Sequence, residues 1–201
     1  RLIGDSHALM YQSAFSQIYG AGKDIYVRSI AVGICPNVLG TDSLIDENPA
    51  DNENRVCIAT HNKVLDLINS DKRAYYDYIV LSDSNNFKPK FYVRDATRFA
   101  AAVSVAGKKT VILSQPPVAK DLAICLKKDY SNYQDCAPNL PSSLHDLKVA
   151  KESGAAYGDM RMLFCNNNYC PLLIGDAPYA ARGHLTDVGA AQIAPYFLDF
   201  L

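Results

Sequence analysis

RLIGDSHALMYQSAF, residues 1–15, passes from an apolar run through Gly4-Asp5-Ser6-His7 into a helix-like stretch. Leu2-Ile3-Gly4 reads as the end of a buried strand. From His7 to Tyr19 the apolar residues Leu9, Met10, Ala14 and Ile18 fall on overlapping helical faces. "GAGKD" closes that helix, with glycine as its stop. A serine at such a junction has two readings. It caps the helix with its side chain, or it is a nucleophile that needs a base from elsewhere in the chain.

The pattern of the opening repeats outward. "IYVRSIAVG" alternates and is rich in β-branched residues, so it predicts a second strand. Residues 35–54 form a long polar stretch with Pro and Gly punctuation, bracketed by Cys35 and Cys57. "RVCIATHNKVLDLINS" predicts an amphipathic helix, "YDYIVLSDSNN" a third strand and "ATRFAAAVSVAG" a helix. "KTVILSQPP" predicts a fourth strand, stopped by two prolines. "VAKDLAICLKK" and "SLHDLKVAKES" predict helices, and "CPLLIG" a short strand. "GAAYGDMRMLFC" fits no single template. "TDVGAAQIAPYFLDFL" predicts a terminal helix, kinked or broken at Pro195. Strands alternating with helices predict an α/β fold with a mostly parallel sheet. Without an internal repeat or linker, the expectation is one domain over residues 1–201.

The bulk numbers agree. A chain of 201 residues with 49% apolar content can bury its own core. Twenty basic against 21 acidic residues give a formal charge of -1, and no basic cluster suggests a nucleic-acid surface. No apolar run reaches the roughly 20 residues of a membrane span. The chain starts at Arg1 and enters a strand at once, which suggests a piece excised from a longer protein. The six cysteines fall into three local pairs, Cys35 with Cys57, Cys125 with Cys136 and Cys165 with Cys170. Proximity alone suggests that pairing among the several connectivities possible. An even count so spaced predicts disulfides and an oxidising compartment. No CxxC occurs and no His stands near a Cys pair at zinc-ligand spacing, so neither metal nor cofactor is expected.

In an open parallel sheet, ligands bind beyond the carboxyl ends of the strands. Ser6 falls at such an end. Far along the chain, "ARGHLTDVGAAQIAPYF" places His184 in a loop just before the last helix, with Thr186 as its expected N-cap. "GDSH" at residues 4–7 and "HLT..GA" at 184–190 resemble the SGNH, or GDSL-type, hydrolase superfamily. More narrowly, they resemble the extracytoplasmic SGNH domains fused to acyltransferase family 3 membrane proteins, which O-acylate surface glycans. "GICPNVLG" and "CNNNYC" followed by "PLLIG" extend the likeness through the chain.

The resemblance implies a three-layer α/β/α, flavodoxin-like fold. It implies Ser6 as nucleophile, its own N–H as one oxyanion donor, and His184 as general base. Gly33, after strand two, matches the family's oxyanion glycine. Asn85 in "LSDSNNF" is assigned as the side-chain donor, with Ser84 or Asn86 as the alternatives one residue away. It further implies a glycan acceptor and an acyl group, acetyl first, delivered by a membrane module to which the domain is tethered. The site then lies on the periplasmic or external side, and the isolated domain is expected to be monomeric. A free-standing esterase and a glycan-binding module on a degenerate scaffold are the rival readings.

One position departs from the family. The acidic residue that orients the histidine usually stands three positions before it, and here that position is Ala181. Three alternatives follow: a Ser6–His184 dyad, a substituted carboxylate with Asp176 as the nearest upstream candidate, or an impaired site. Asp187 is read as support for the last helix's N-terminus. Asp5 is read as a turn stabiliser, His7 as a surface residue with the lining of the cleft as its alternative, and His61 and His145 as surface residues. Tyr179 is read either as core or as part of a sugar cleft.

Overall fold

The structure is a computed structural model. It describes residues 2–20, 27–31, 35, 37, 52–70, 77–83, 92–104, 109–117, 144–165, 170, 173–174, 177–178, 180–181 and 184–200. Five strands form a parallel sheet: β1 (Leu2–Gly4), β2 (Ser29–Ala31), β3 (Tyr78–Ser82), β4 (Lys109–Leu113) and β5 (Ala156–Gly158). Their order is β2-β1-β3-β4-β5. The chain therefore starts at β1, steps to β2 on one side, then crosses to β3 on the other. That reversal makes a switch point at β1, and a crevice for ligands opens there at the carboxyl ends of the strands. β5 comes from the stretch whose sequence fits no template; it is only three residues long and too short to show a period.

Helices cover both faces. Alternation along each strand sends Leu2, Val80, Val111 and Leu113 to one side, and Ile3, Ile79, Leu81 and Ile112 to the other. The first set packs on α1 (Ser6–Gly20) and on the C-terminal helix, α6 (Asp187–Phe200), through Tyr11, Phe15, Ile193 and Phe197. The second packs on α2 (Asn52–Asn69), α3 (Tyr92–Ser104) and α4 (Leu144–Ser153), through Val64, Ile68, Phe99 and Val149. This is the three-layer α/β/α architecture, and burial on both faces explains why the strands read as continuous apolar runs. A short helix, α5 (Arg161–Phe164), follows β5. Two small antiparallel pairs follow: β6 (Leu173–Ile174) with β7 (Ala177–Pro178), and β8 (Ala180–Ala181) with β9 (His184–Leu185).

Three expectations need adjustment. α6 runs unbroken through Pro195, which sits on its exposed face where water can serve the freed carbonyl. His61 is 6% exposed and packs at a tilt against Phe99, at 5.4 Å between ring centroids, instead of facing solvent. His7 is also buried, as described below, whereas His145 is exposed. The disulfides Cys35–Cys57 and Cys165–Cys170 are formed. Cys125 and Cys136 lie outside the described residues, as does the helix expected over "VAKDLAICLKK".

Candidate active site

Gly4 ends β1 with φ of +153°, and a Cβ there would stand 1.9 Å from the Ser82 carbonyl oxygen of β3. Only glycine lets the two strands approach this closely and then turn. Asp5 follows, 2% exposed, and its Oδ1 accepts the His7 backbone N–H at 2.7 Å. That is an N-cap bond to the second residue of α1. Asp5 therefore caps the helix, and Ser6 does not. The Ser6 Oγ instead lies 2.9 Å from His184 Nε2, across a sequence separation of 178. The Ser6 N–H is the first of α1 and has no acceptor within the helix, so it is available to an oxygen in the crevice.

His184 starts β9, two residues ahead of α6. Thr186 Oγ1 accepts the Gly189 N–H at 3.2 Å, so Thr186 caps α6 as its position suggests. The Leu185 N–H reaches Met10 Sδ at 3.5 Å, which fastens β9 to α1. Asp187 is turned to α1, where Ser13 Oγ donates to its Oδ1 at 3.2 Å. Ala181 is the register partner of His184 across the β8–β9 ladder. The position that departs from the family thus stands directly opposite the histidine.

Two residues of the site escape sequence reasoning. His7 is 4% exposed, and its ring stacks on that of His184 with centroids 4.7 Å apart and planes at 28°. Its surface assignment is corrected: α1 turns this face toward a histidine that a helical pattern cannot foresee. Asp83, the first residue after β3, is 5% exposed. Its Oδ2 accepts the Asn37 backbone N–H at 2.8 Å and the Tyr92 hydroxyl at 3.1 Å. The Tyr92 hydroxyl also lies 3.4 Å from Asp146 Oδ1, and Asn37 Nδ2 donates to the Ile3 carbonyl at 3.2 Å. Strand β1 and the chain segments beyond β2 and β3 are thereby cross-linked at the carboxyl end of the sheet. Burial first, then the charges of Asp83 and Asp146, the hydrogen bond to Asp83 and the charge of Asp5, hold the Tyr92 phenol protonated well above its usual range. A signal for Asp83 does exist in the sequence, a carboxylate at the carboxyl end of a buried strand.

Gly33, Ser84, Asn85, Asn86, Asp176 and Tyr179 lie outside the described residues. Among the described residues, no group of three or more His, Cys, Asp or Glu side chains could hold a metal ion. None of the described helices is long and apolar enough to cross a membrane.

The model of the family described as "SGNH domain (fused to AT3 domains)" matches residues 2–199. No curated protein matches the chain at the sequence level. Among solved structures, the periplasmic domain of a lipopolysaccharide acetyltransferase from Salmonella ser. Paratyphi A superposes with a TM-score of 0.74. It is 18% identical, and the match covers 98% of this chain and 82% of that one. At this identity the likeness shows the fold. A peptidoglycan O-acetylesterase matches at a TM-score of 0.47 and 13% identity, over 69% of this chain and 39% of that one. The order β2-β1-β3-β4-β5, the glycine at the close of β1 and the histidine ahead of the last helix all fall within the matched span.

Proposed function

The chain belongs to the family of SGNH domains fused to AT3 domains, and from that premise we propose that it transfers an acyl group, acetyl first, to a hydroxyl of a cell-envelope glycan through an ester on Ser6. The 2.9 Å approach of Ser6 Oγ to His184 Nε2, with Asp5 as the helix cap, is the observation that supports this reading.

The steps follow from the geometry. His184 Nε2 takes the Ser6 proton as Oγ adds to the acyl carbonyl. The oxyanion so formed meets the Ser6 N–H at the positive end of α1. Gly33 and Asn85 are the further donors that the family pattern proposes. His184 returns the proton to the departing group, leaving an acyl-Ser6 ester. A sugar hydroxyl then gives its proton to His184 and adds to the ester carbonyl, and Ser6 leaves with the proton regained. If water takes the acceptor's place, the same steps make an esterase. An AT3 membrane module on the same polypeptide is the proposed acyl donor. The Cys35–Cys57 and Cys165–Cys170 bridges support a periplasmic or external location. The domain is proposed to act as a monomer over residues 1–201.

The binding-module reading draws on Ala181, and one assay separates it. Release of nitrophenol from 4-nitrophenyl acetate is measured for the chain, S6A and H184A. Both variants are expected to fall by about 10⁴-fold or to background. Turnover that survives S6A would overturn the acyl-enzyme. A glycan that binds S6A as tightly as the unchanged chain, with no turnover by either, would favour the module. Adding a sugar acceptor and assaying O-acetyl sugar against acetate then distinguishes transfer from hydrolysis.

A further inference from the structure

His7 presents a problem of burial. It is 4% exposed, yet among the described residues neither Nδ1 nor Nε2 has a hydrogen-bond partner. A buried polar ring left unpaired is costly, and each such group in a native site calls for a reason. Among the described residues, two contacts to the ring stand out. Its face lies on His184 at 4.7 Å, and its Nδ1 stands 3.4 Å from Asp5 Oδ1. Asp5 also holds the His7 backbone through the helix cap, so the ring is fixed from its own main chain. At position 181, the ladder partner of His184, there is a methyl group and no carboxylate.

We infer that His7 is a positioning residue for His184: it is the wall against which the general base is held in plane, with its Nε2 aimed at Ser6. This rests on the acyl-enzyme reading above. A planar ring stacked nearly parallel restricts rotation of its neighbour about the Cβ–Cγ bond, the motion that would swing Nε2 away from Oγ. When His184 takes up the proton, its positive charge forms over the π face of His7. Asp5, Ser6 and His7 are consecutive, so the cap and the first two residues of α1 bring together the carboxylate, the nucleophile and the wall for its base.

His7→Gln removes the flat face and keeps a polar side chain; His7→Phe keeps the face and removes the nitrogens. With 4-nitrophenyl acetate, H7Q is expected to lose about 100-fold in kcat with KM within about twofold, as a displaced catalytic group does. H7F is expected to recover at least about tenfold of that loss. Both are checked for a native fold by circular dichroism. The His184 ring is followed by NMR in the same proteins, which tests the inference apart from turnover. Its carbon-bound protons should be shifted by the ring current of residue 7 in the unchanged chain and in H7F, and not in H7Q. Unchanged kcat in folded H7Q, H7F no better than H7Q, or His184 signals alike in all three would each overturn the role. Loss of turnover in the unchanged chain with the NMR differences intact would instead remove the acyl-enzyme and leave the wall standing.

Discussion

At the scale of single residues, Ser6 depends on Asp5. The helix start needs a side-chain acceptor, and Asp5 supplies it at 2.7 Å, which leaves the serine hydroxyl for the base. The alanine at position 181 is the other half of the residue-scale question. An orienting aspartate is worth about 10⁴-fold where nothing else holds the histidine. With His7 already against the ring, the same aspartate has less to add. Ala181→Asp, at the ladder position facing His184, is therefore expected to raise kcat on 4-nitrophenyl acetate by only about tenfold. A gain near the full 10⁴ would mean that His184 is unheld, and would count against the wall. What the sequence reveals here divides by distance along the chain. Gly4 and Thr186 were legible because each obeys a local rule of strand end or helix cap, and Ser6 because the family resemblance chose between its two local readings. His7 was not, because its burial comes from a residue 177 positions later that no helical period encodes.

Helices show the same division. The period of residues 52–69 marks an amphipathic helix but does not locate the edge of its buried face, and His61 lies inside that edge, against Phe99 of α3. Burial pushes the His61 imidazole down to about 4 from its ordinary 6.5. The folded chain thus keeps it neutral over a range in which the unfolded chain takes up a proton. Stability from this group is complete above about pH 6.5 and is lost as pH falls toward about 4. The loss amounts to something on the order of 3 kcal/mol. Urea unfolding of the chain at pH 7.5 and pH 4.5 should show a larger drop than in His61→Leu, whose packing is similar and whose side chain does not titrate. Equal drops in the two proteins would mean that His61 finds water in the folded state. The strands were easier to read than this helix face, since burial on both sides turns β3 and β4 into plain apolar runs.

For the whole molecule, the alternation of strands and helices was enough to predict an α/β fold with a mostly parallel sheet, the resemblance supplied the three layers, and the order β2-β1-β3-β4-β5 is the topology that right-handed crossovers give a chain that doubles back once. The cross-link at the carboxyl end of the sheet was not legible, because Asn37, Asp83, Tyr92 and Asp146 meet only after the sheet has formed. It joins the α3–α4 layer to β1 and to the segments after β2 and β3. Tyr92 is its hub, and removing one oxygen tests it. Tyr92→Phe leaves Asp83 and Asp146 buried without the phenolic proton, at an expected cost of about 1–3 kcal/mol near neutral pH. The pH dependence identifies the source of that cost. The phenol is held protonated well above its ordinary 10.0, chiefly by burial and by Asp83 and Asp146. Stability from Tyr92 is therefore complete below about pH 10 and declines above it, as the unfolded chain ionises and the folded chain does not. Tyr11, buried and donating its hydroxyl to the Ser114 carbonyl at 2.8 Å, adds the same alkaline decline in both proteins. The stability gap between the chain and Y92F should thus be widest near pH 8 and shrink above pH 10, since the variant has one fewer buried phenol to keep protonated. A gap that stays constant from pH 8 to pH 11 would mean that the Tyr92 hydroxyl reaches solvent, and that the segments after β2 and β3 are held by something other than this cluster.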